Sequence, residues 1–292
     1  MTERLADFDR RVASLLPGPY TLLQCCNLIV DPRMVRKEPL HPTSYSEVNT
    51  LLQRLLLDVQ AILGDSFTGL YLYGSLATGD FDPGKSDIDF LVVTADELPD
   101  EIVAALQAMH ARLAASDSKW ATELEGSYIP RRSLRHYDAT DTHHPHIDRG
   151  GGTLAIEQHG TDWVIQCHVL RNQGVVVAGP DPRTLINPVS ADELRRGVVG
   201  LLWWWELQLS DTSRVEQSGY QAYTILSMCR ILYTLEYGTV ASKPAAARWA
   251  RGTLGERWVA LIERAVNWQP GDSMDRLNET LEFIRYTLAH SQ

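Results

Sequence analysis

The stretch GLYLYGSLATGDFDPGKSDIDFLVV, residues 69–93, constrains this chain more than any other. Two apolar runs, Gly69–Tyr73 and Ile88–Val93, read as neighbouring strands. The segment between them holds Gly79, Asp82, Pro83 and Gly84, all turn formers. Asp87 and Asp89 stand two residues apart where the second strand begins. Alternation along a strand puts both carboxylates on one face. A strand that opens on two like charges is poor packing material, so the fold must place that face where the charges are useful.

The remaining chain divides by its periodicity. A helix is expected over Tyr45–Leu63, from the apolar spacing of Val48, Leu51, Leu52, Leu55, Leu56, Val59 and Leu63, with Ser46 or Thr43 as its cap. A second spans Asp96–Ala115, acidic in its first turns. A third strand is read at Thr122–Ile129, and residues 130–152 read as a loop. Ala155–Asn172 has a helical pattern, and Val175–Val177 a short strand ended by Gly179-Pro180. From Ser190 the pattern is helical only. Ser190-x-x-Glu193 forms a capping box for a helix from Ala191 to about Leu209. The next helix runs from Gly219 to Tyr237 and stops at Gly238. Ser242 and Pro244 start a third, and two more cover Glu256–Asn267 and Ser273–His290. The fold class is therefore α/β (α+β). An N-terminal extension (1–44) precedes a mixed-sheet domain (45–184), and an all-helical bundle (185–292) follows.

Two carboxylates a few ångströms apart repel, and one is held protonated unless a cation lies between them. Hard oxygen ligands favour Mg²⁺, which commonly shares two carboxylates with substrate phosphates. The Gly74-Ser75 turn then has a purpose. Gly74 lets the backbone approach a ligand closely. Ser75, with Lys85 and Ser86 at the far end of the loop, offers donors for a triphosphate. The parts add up to a site for a metal-bound nucleoside triphosphate, where displacement at phosphorus needs positioning, charge neutralisation and an activated nucleophile.

The run LYGSLATGDFDPGKSDIDFLVV, residues 72–93, resembles the signature of the nucleotidyltransferase superfamily with a polymerase-β-like core. More narrowly it is similar to the aminoglycoside (3″) nucleotidyltransferases, the streptomycin/spectinomycin adenylyltransferases. The likeness runs from about residue 45 to the end. It returns at Leu124-Glu125, at Val176-x-x-Gly179-Pro180 and at Arg230-Ile231-Leu232-Tyr233, followed by Gly238 and Lys243. The resemblance implies that Asp87 and Asp89 bind Mg²⁺ and that Glu125 is the general base for a sugar hydroxyl. Glu123 lies on the same strand face in this reading and is the alternative. It implies as well that Arg230 and Lys243 reach ATP phosphates from the helical domain, with ATP in the cleft between domains. The implied reaction moves AMP from ATP to a hydroxyl of a small cationic acceptor, an aminoglycoside, and releases pyrophosphate. The same chemistry on another acceptor is one alternative, and a non-catalytic binding partner of the same fold is another.

The net charge of −10 argues against a nucleic-acid partner, whose phosphates call for Lys and Arg. No apolar run approaches the length of a membrane span. With no signal peptide at the N-terminus and no C-x-x-C among its four cysteines, the chain is expected to be cytoplasmic with reduced thiols. A monomer is expected. Trp203-Trp204-Trp205 cannot share one helix face, so at least one packs in the core while another is free to stack on a substrate. Glu206, Asp211 and Glu216 are candidates for recognising a cationic acceptor, and Tyr220 stands where the resemblance would have an aspartate. His136, His143, His144 and His146 fit no standard zinc spacing and read as part of an exposed loop or a lid. Leu22–Val30, within the extension, is apolar enough to pack and carries no functional reading.

Overall fold

The computed structural model describes residues 41–150 and 153–291, and the N-terminal extension up to residue 40 lies outside them. Leu40–Gln292 forms one compact unit. Its first half is built on a six-stranded sheet in the order β5-β4-β3-β2-β1-β6. The strands are β1 (Phe67–Leu72), β2 (Ile88–Thr94), β3 (Leu124–Pro130), β4 (His143–Ile147), β5 (Leu154–Gln158) and β6 (Val175–Ala178). β2 and β3 run parallel, and every other neighbouring pair is antiparallel. The sheet is thus mixed.

The two faces of the sheet follow from strand parity. Leu70, Leu72, Phe90, Val92 and Tyr128 point to one side. There they pack on α1 (Ser46–Leu63) and α3 (Asp100–Ala114) through Leu52, Leu55, Leu106 and Met109. Tyr71, Tyr73, Leu91, Val93 and Ile129 point to the other side, against Trp163, Cys167 and Leu170 of α5 (Asp162–Gln173). Asp87, Asp89 and Glu125 belong by parity to this second face. Between β1 and β2 lies the short helix α2 (Gly74–Thr78), and α4 (Arg131–Arg135) and α6 (Pro182–Leu185) complete the first half.

The second half is helical: α7 (Ala191–Gly200), α8 (Leu202–Ser210), α9 (Ser218–Tyr237), α10 (Lys243–Thr253), α11 (Glu256–Asn267) and α12 (Leu277–Ala289). Its core gathers Ile225, Met228, Cys229 and Ile231 of α9 with Ala246, Ala250, Trp258, Ile262 and Phe283. Ser190 and Glu193 form the complete capping box. Ser242 caps α10 with Pro244 in its first turn, and Gly238 ends α9 at φ +62°. Cys167 and Cys229 are buried free thiols, while Cys25 and Cys26 lie outside the described residues, as does Leu22–Val30. Among the described residues no helix is long and apolar enough to cross a membrane.

Several expectations are corrected. Residues 130–152 are not a loop throughout: they contain α4 and β4. The segment HHPHI lacks the usual strand formers, yet His146 and Ile147 pair with β3 and the whole segment pairs with β5. Pro145 lies beyond the paired residues of β3, so its missing N–H breaks no bond there. The start of the expected 155–172 helix is strand β5, and the helix begins only at Asp162. The single helix from Ala191 to Leu209 is broken at Leu201, next to Gly200, where a Cβ would come within 2.3 Å of the Thr161 hydroxyl oxygen. Neither Ser46 nor Thr43 caps α1: the Thr43 hydroxyl donates to Asn49 Oδ1 at 2.7 Å instead. The strand holding Glu125 starts at Leu124, after a 3₁₀ turn over Ala121–Glu123, so Glu123 is not on the strand. Of the tryptophan triplet, Trp205 is in the core and Trp203 is 61 % exposed. His144 is buried on β4, not in an exposed loop.

Candidate active site

Asp89 lies directly across the parallel ladder from Glu125. The same strand parity that builds the Leu91–Val93 face carries Asp87, Asp89 and Glu125 together at the N-terminal edge of β2 and β3. Tyr73, just past the end of β1, lies beside them, and burial together with the charges of Asp89, Glu125 and Asp87 holds its phenol well above the ordinary range. Its N–H donates to the Asp89 carbonyl at 3.2 Å, and its ring is buried.

Gly74 is dictated by Asp89. Its φ is +58°, and a Cβ there would come within 1.7 Å of Asp89 Oδ2, so any side chain collides with that carboxylate. The next residue, Ser75, presents a buried hydroxyl oxygen with no hydrogen-bond partner among the described residues. An orphaned buried hydroxyl costs free energy, of order 1–3 kcal/mol, and marks a position that a ligand would satisfy. The loop that follows is held by its own bonds. The Asp82 N–H donates to Ser86 Oγ at 3.0 Å, and the Ser86 N–H to the Asp82 carbonyl at 2.8 Å. Ser86 therefore already shapes the loop. Lys85 Nζ sits 3.5 Å from Asp82 Oδ2 and 3.5 Å from the Trp268 carbonyl, bracing the loop against the helical half.

The two glutamates of the β3 mouth differ in their surroundings. The Glu123 carboxylate is ion-paired with Arg149 Nη2 at 2.5 Å. Glu125 accepts no hydrogen bond from a described residue. Burial pushes its carboxyl up to about 7, Asp87 and Asp148 push the same way, and Lys243 and Arg149 oppose them. Asp89 behaves alike: burial first, then Asp87 and Glu125, raise it to about 7, against Lys243 and Arg230.

Those two cations come from the other half of the chain. Arg230 lies within α9 and Lys243 opens α10, 141 and 154 residues beyond Asp89 in sequence. Burial lowers Arg230, with Asp89 among the groups that favour its charge. Lys243 is lowered by the surrounding walls and by Arg230, and is supported by Asp87, Asp89 and Glu125. The structure thus brings the Asp pair, Glu125, Arg230 and Lys243 within one electrostatic neighbourhood. Sequence reasoning missed Tyr223. Its ring is 45 % exposed, lies 5.0 Å beneath Lys243 Nζ and packs on Tyr220 and Trp205. Two of the three acids considered for acceptor recognition are occupied locally. Asp211 accepts the Ser213 N–H and Glu216 the Thr212 hydroxyl, and Glu206 is exposed.

The donor set fits a hard divalent cation. Asp87 and Asp89 supply only oxygens, and burial with the charges of Asp87 and Glu125 raises Asp89 despite Lys243 and Arg230, so a further positive charge between the aspartates would favour its ionised form. The ligand atoms of Asp87, Asp89 and Glu125 are not all within 4.8 Å of one another. Two tighter groups lie elsewhere: Glu97, Asp141 and His144, and His146, Asp148 and Glu157. In the first, Arg132 already bridges Glu97 and Asp141.

Residues 52–129 match the nucleotidyltransferase domain model, and residues 184–291 match the C-terminal domain of aminoglycoside adenylyltransferase. The chain is similar to an aminoglycoside (3″)(9) adenylyltransferase of Escherichia coli, 24 % identical over 253 residues, covering 82 % of this chain and 94 % of the relative. It is also similar to a spectinomycin 9-adenylyltransferase of Staphylococcus aureus, 25 % identical over 244 residues, covering 78 % and 87 %. A spectinomycin adenyltransferase from Enterococcus faecialis, solved with ATP and spectinomycin, shares the fold at a TM-score of 0.66 and 17 % identity, over 83 % of this chain and 98 % of that one. The chain thus joins a nucleotidyltransferase domain, over residues 52–129, to the C-terminal domain of an aminoglycoside adenylyltransferase, over residues 184–291.

Proposed function

We propose that this enzyme transfers AMP from ATP to a hydroxyl of a small cationic acceptor, an aminoglycoside of the streptomycin or spectinomycin type. The observation that carries the reading is the meeting of groups from both halves. Asp87, Asp89 and Glu125 of the sheet face Arg230 and Lys243 of the bundle. The named activities of the relatives from Escherichia coli and Staphylococcus aureus support it.

In this reading Asp87 and Asp89 hold Mg²⁺, which would offset charge on the triphosphate. Gly74 leaves room for the nucleotide, and Ser75 donates its orphaned hydroxyl to a phosphate oxygen. Lys85 and Ser86 keep the loop in place at the phosphate end. Arg230 and Lys243 meet the negative charge that grows on the leaving group. Glu125 takes the acceptor's hydroxyl proton on a carboxylate oxygen. The acceptor oxygen forms a bond to the α-phosphorus, the bond from that phosphorus to the bridging oxygen breaks, and pyrophosphate departs with the electron pair. A carboxyl raised to about 7 is matched to this task, since it is a stronger base than an ordinary glutamate and still ionises near neutral pH. The enzyme is cytoplasmic in this reading, where ATP is supplied. It works as a monomer, since one chain holds every group the reaction needs.

One observation favours a second acceptor class with the same chemistry. On the bundle side Tyr223 lies near enough to Glu125 to feel its charge and packs on Tyr220, and the exposed acids at Asp211 and Glu216 are engaged in their own turn. Expression of the chain in a sensitive bacterium tests the first reading. Raised resistance to streptomycin or spectinomycin, lost in Glu125→Gln, is expected. Unchanged susceptibility to both drugs would move the assignment to the second class.

A further inference from the structure

The hairpin between β4 and β5 brings Asp148 and Arg149 to the mouth of the proposed active site. Arg149 makes two contacts there. Nη2 forms an ion pair with Glu123 Oε2 at 2.5 Å that is not aligned as a hydrogen bond, and Nη1 donates to the Lys85 carbonyl at 3.2 Å. The next residue ties the hairpin tip to the same place, since the Gly150 N–H donates to the Thr122 carbonyl at 2.7 Å. One guanidinium therefore links three separate segments: the hairpin tip, the turn that leads into β3, and the loop that carries Lys85, Ser86 and Asp87. A planar fork with five donors is suited to serving a carboxylate and a carbonyl together, which a lysine cannot do in the same geometry.

We propose that Arg149 is a positioning residue that selects Glu125 as the general base. It holds the Glu123 carboxylate in an ion pair and fixes the loop of Asp87 against the mouth of β3. Only one of the two glutamates is then left without a partner to face the acceptor. The inference rests on the proposed function for the word base, while the clamp itself stands on geometry alone. Removing the guanidinium frees both the loop and Glu123.

Two measurements test it. Hydrogen exchange on the nucleotide-free protein needs no turnover. Arg149→Met is expected to raise exchange over residues 82–87 and 122–126, with the helical half unchanged. Arg149→Lys, a milder variant that keeps the charge, is expected to raise it over 82–87. Unchanged exchange in both variants overturns the clamp. The second measurement is pyrophosphate release with an acceptor that the wild-type enzyme uses. Glu125→Gln is expected to lose roughly 10²–10⁴-fold, the usual share of a general base. Adding Arg149→Met to that variant is expected to restore part of the rate, because Glu123 is released to take the proton. Adding Glu123→Gln as well is expected to remove the recovery, a sequence that a merely structural role would not produce. A double variant no faster than Glu125→Gln overturns the selection. If the wild-type protein turns over no acceptor, the proposed function fails, and the exchange result still decides the clamp.

Discussion

Asp89→Asn is expected to stabilise the nucleotide-free protein while removing its activity. The Asp89 carboxyl is raised from 3.8 to about 7 in the fold, through burial and the neighbouring Asp87 and Glu125. A carboxyl raised on folding binds its proton more tightly in the native state. Native stability is therefore lost as pH climbs from about 4 to about 7, and the full penalty is present above that. At 1.36 kcal/mol per unit the upper limit is roughly 4 kcal/mol. Asp89 keeps some solvent contact at the cleft. Discounting for that screening leaves about 2 kcal/mol. For a chain of this size that corresponds to a rise in Tm of about 4–8 °C. Asparagine keeps the shape, and the Asp89 side chain accepts no hydrogen bond from a described residue that the exchange would break. Thermal unfolding at pH 8 and at pH 4.5, without nucleotide or Mg²⁺, checks this. The gain should be large at pH 8 and fall to about a quarter of that at pH 4.5, where the carboxyl is protonated in the fold but already mostly ionised in the unfolded chain. A variant less stable at pH 8, or equally stabilised at both values, would refute the reasoning.

Ser75→Ala should leave the fold at least as stable as the wild type, because it deletes an orphaned buried hydroxyl. It should also weaken ATP binding by roughly 5- to 10-fold, about 1 kcal/mol for one lost hydrogen bond, as isothermal titration would show. Gly74→Ala should be far worse than its size indicates. A Cβ would stand 1.7 Å from Asp89 Oδ2 in a backbone at φ +58°, so a soluble variant should show no nucleotide binding by the same titration.

The centre of the site was legible because it is local. Gly74-Ser75 follows β1 and Asp87-x-Asp89 opens its neighbour β2, and strand parity alone puts the aspartates on one face. The helical half was legible through its punctuation: the Ser190–Glu193 box, Ser242 with Pro244, and Gly238 each mark a terminus that the structure keeps. What escaped was tertiary. β4 is a strand because β3 and β5 pair with it, and His143–Ile147 has no propensity to announce that. The choice between Glu123 and Glu125 was open while both were counted on one strand. The 3₁₀ turn at Ala121–Glu123 breaks that count, and Arg149, a hairpin away, holds Glu123. Tyr223 gave no signal, because its meaning lies in Lys243 above its ring and in the position of α9 against the sheet. The acids Asp211 and Glu216 had the right chemistry for a cation, but a turn of their own uses them.

Mass spectrometry of the acceptor tests the account most directly. Purified protein is incubated with Mg²⁺, ATP, and streptomycin or spectinomycin, alongside Glu125→Gln. The account predicts an acceptor carrying one added AMP, with one pyrophosphate released for each, in the wild-type reaction and not in the variant. An unmodified acceptor with either drug, or an adduct formed equally well by Glu125→Gln, would contradict it.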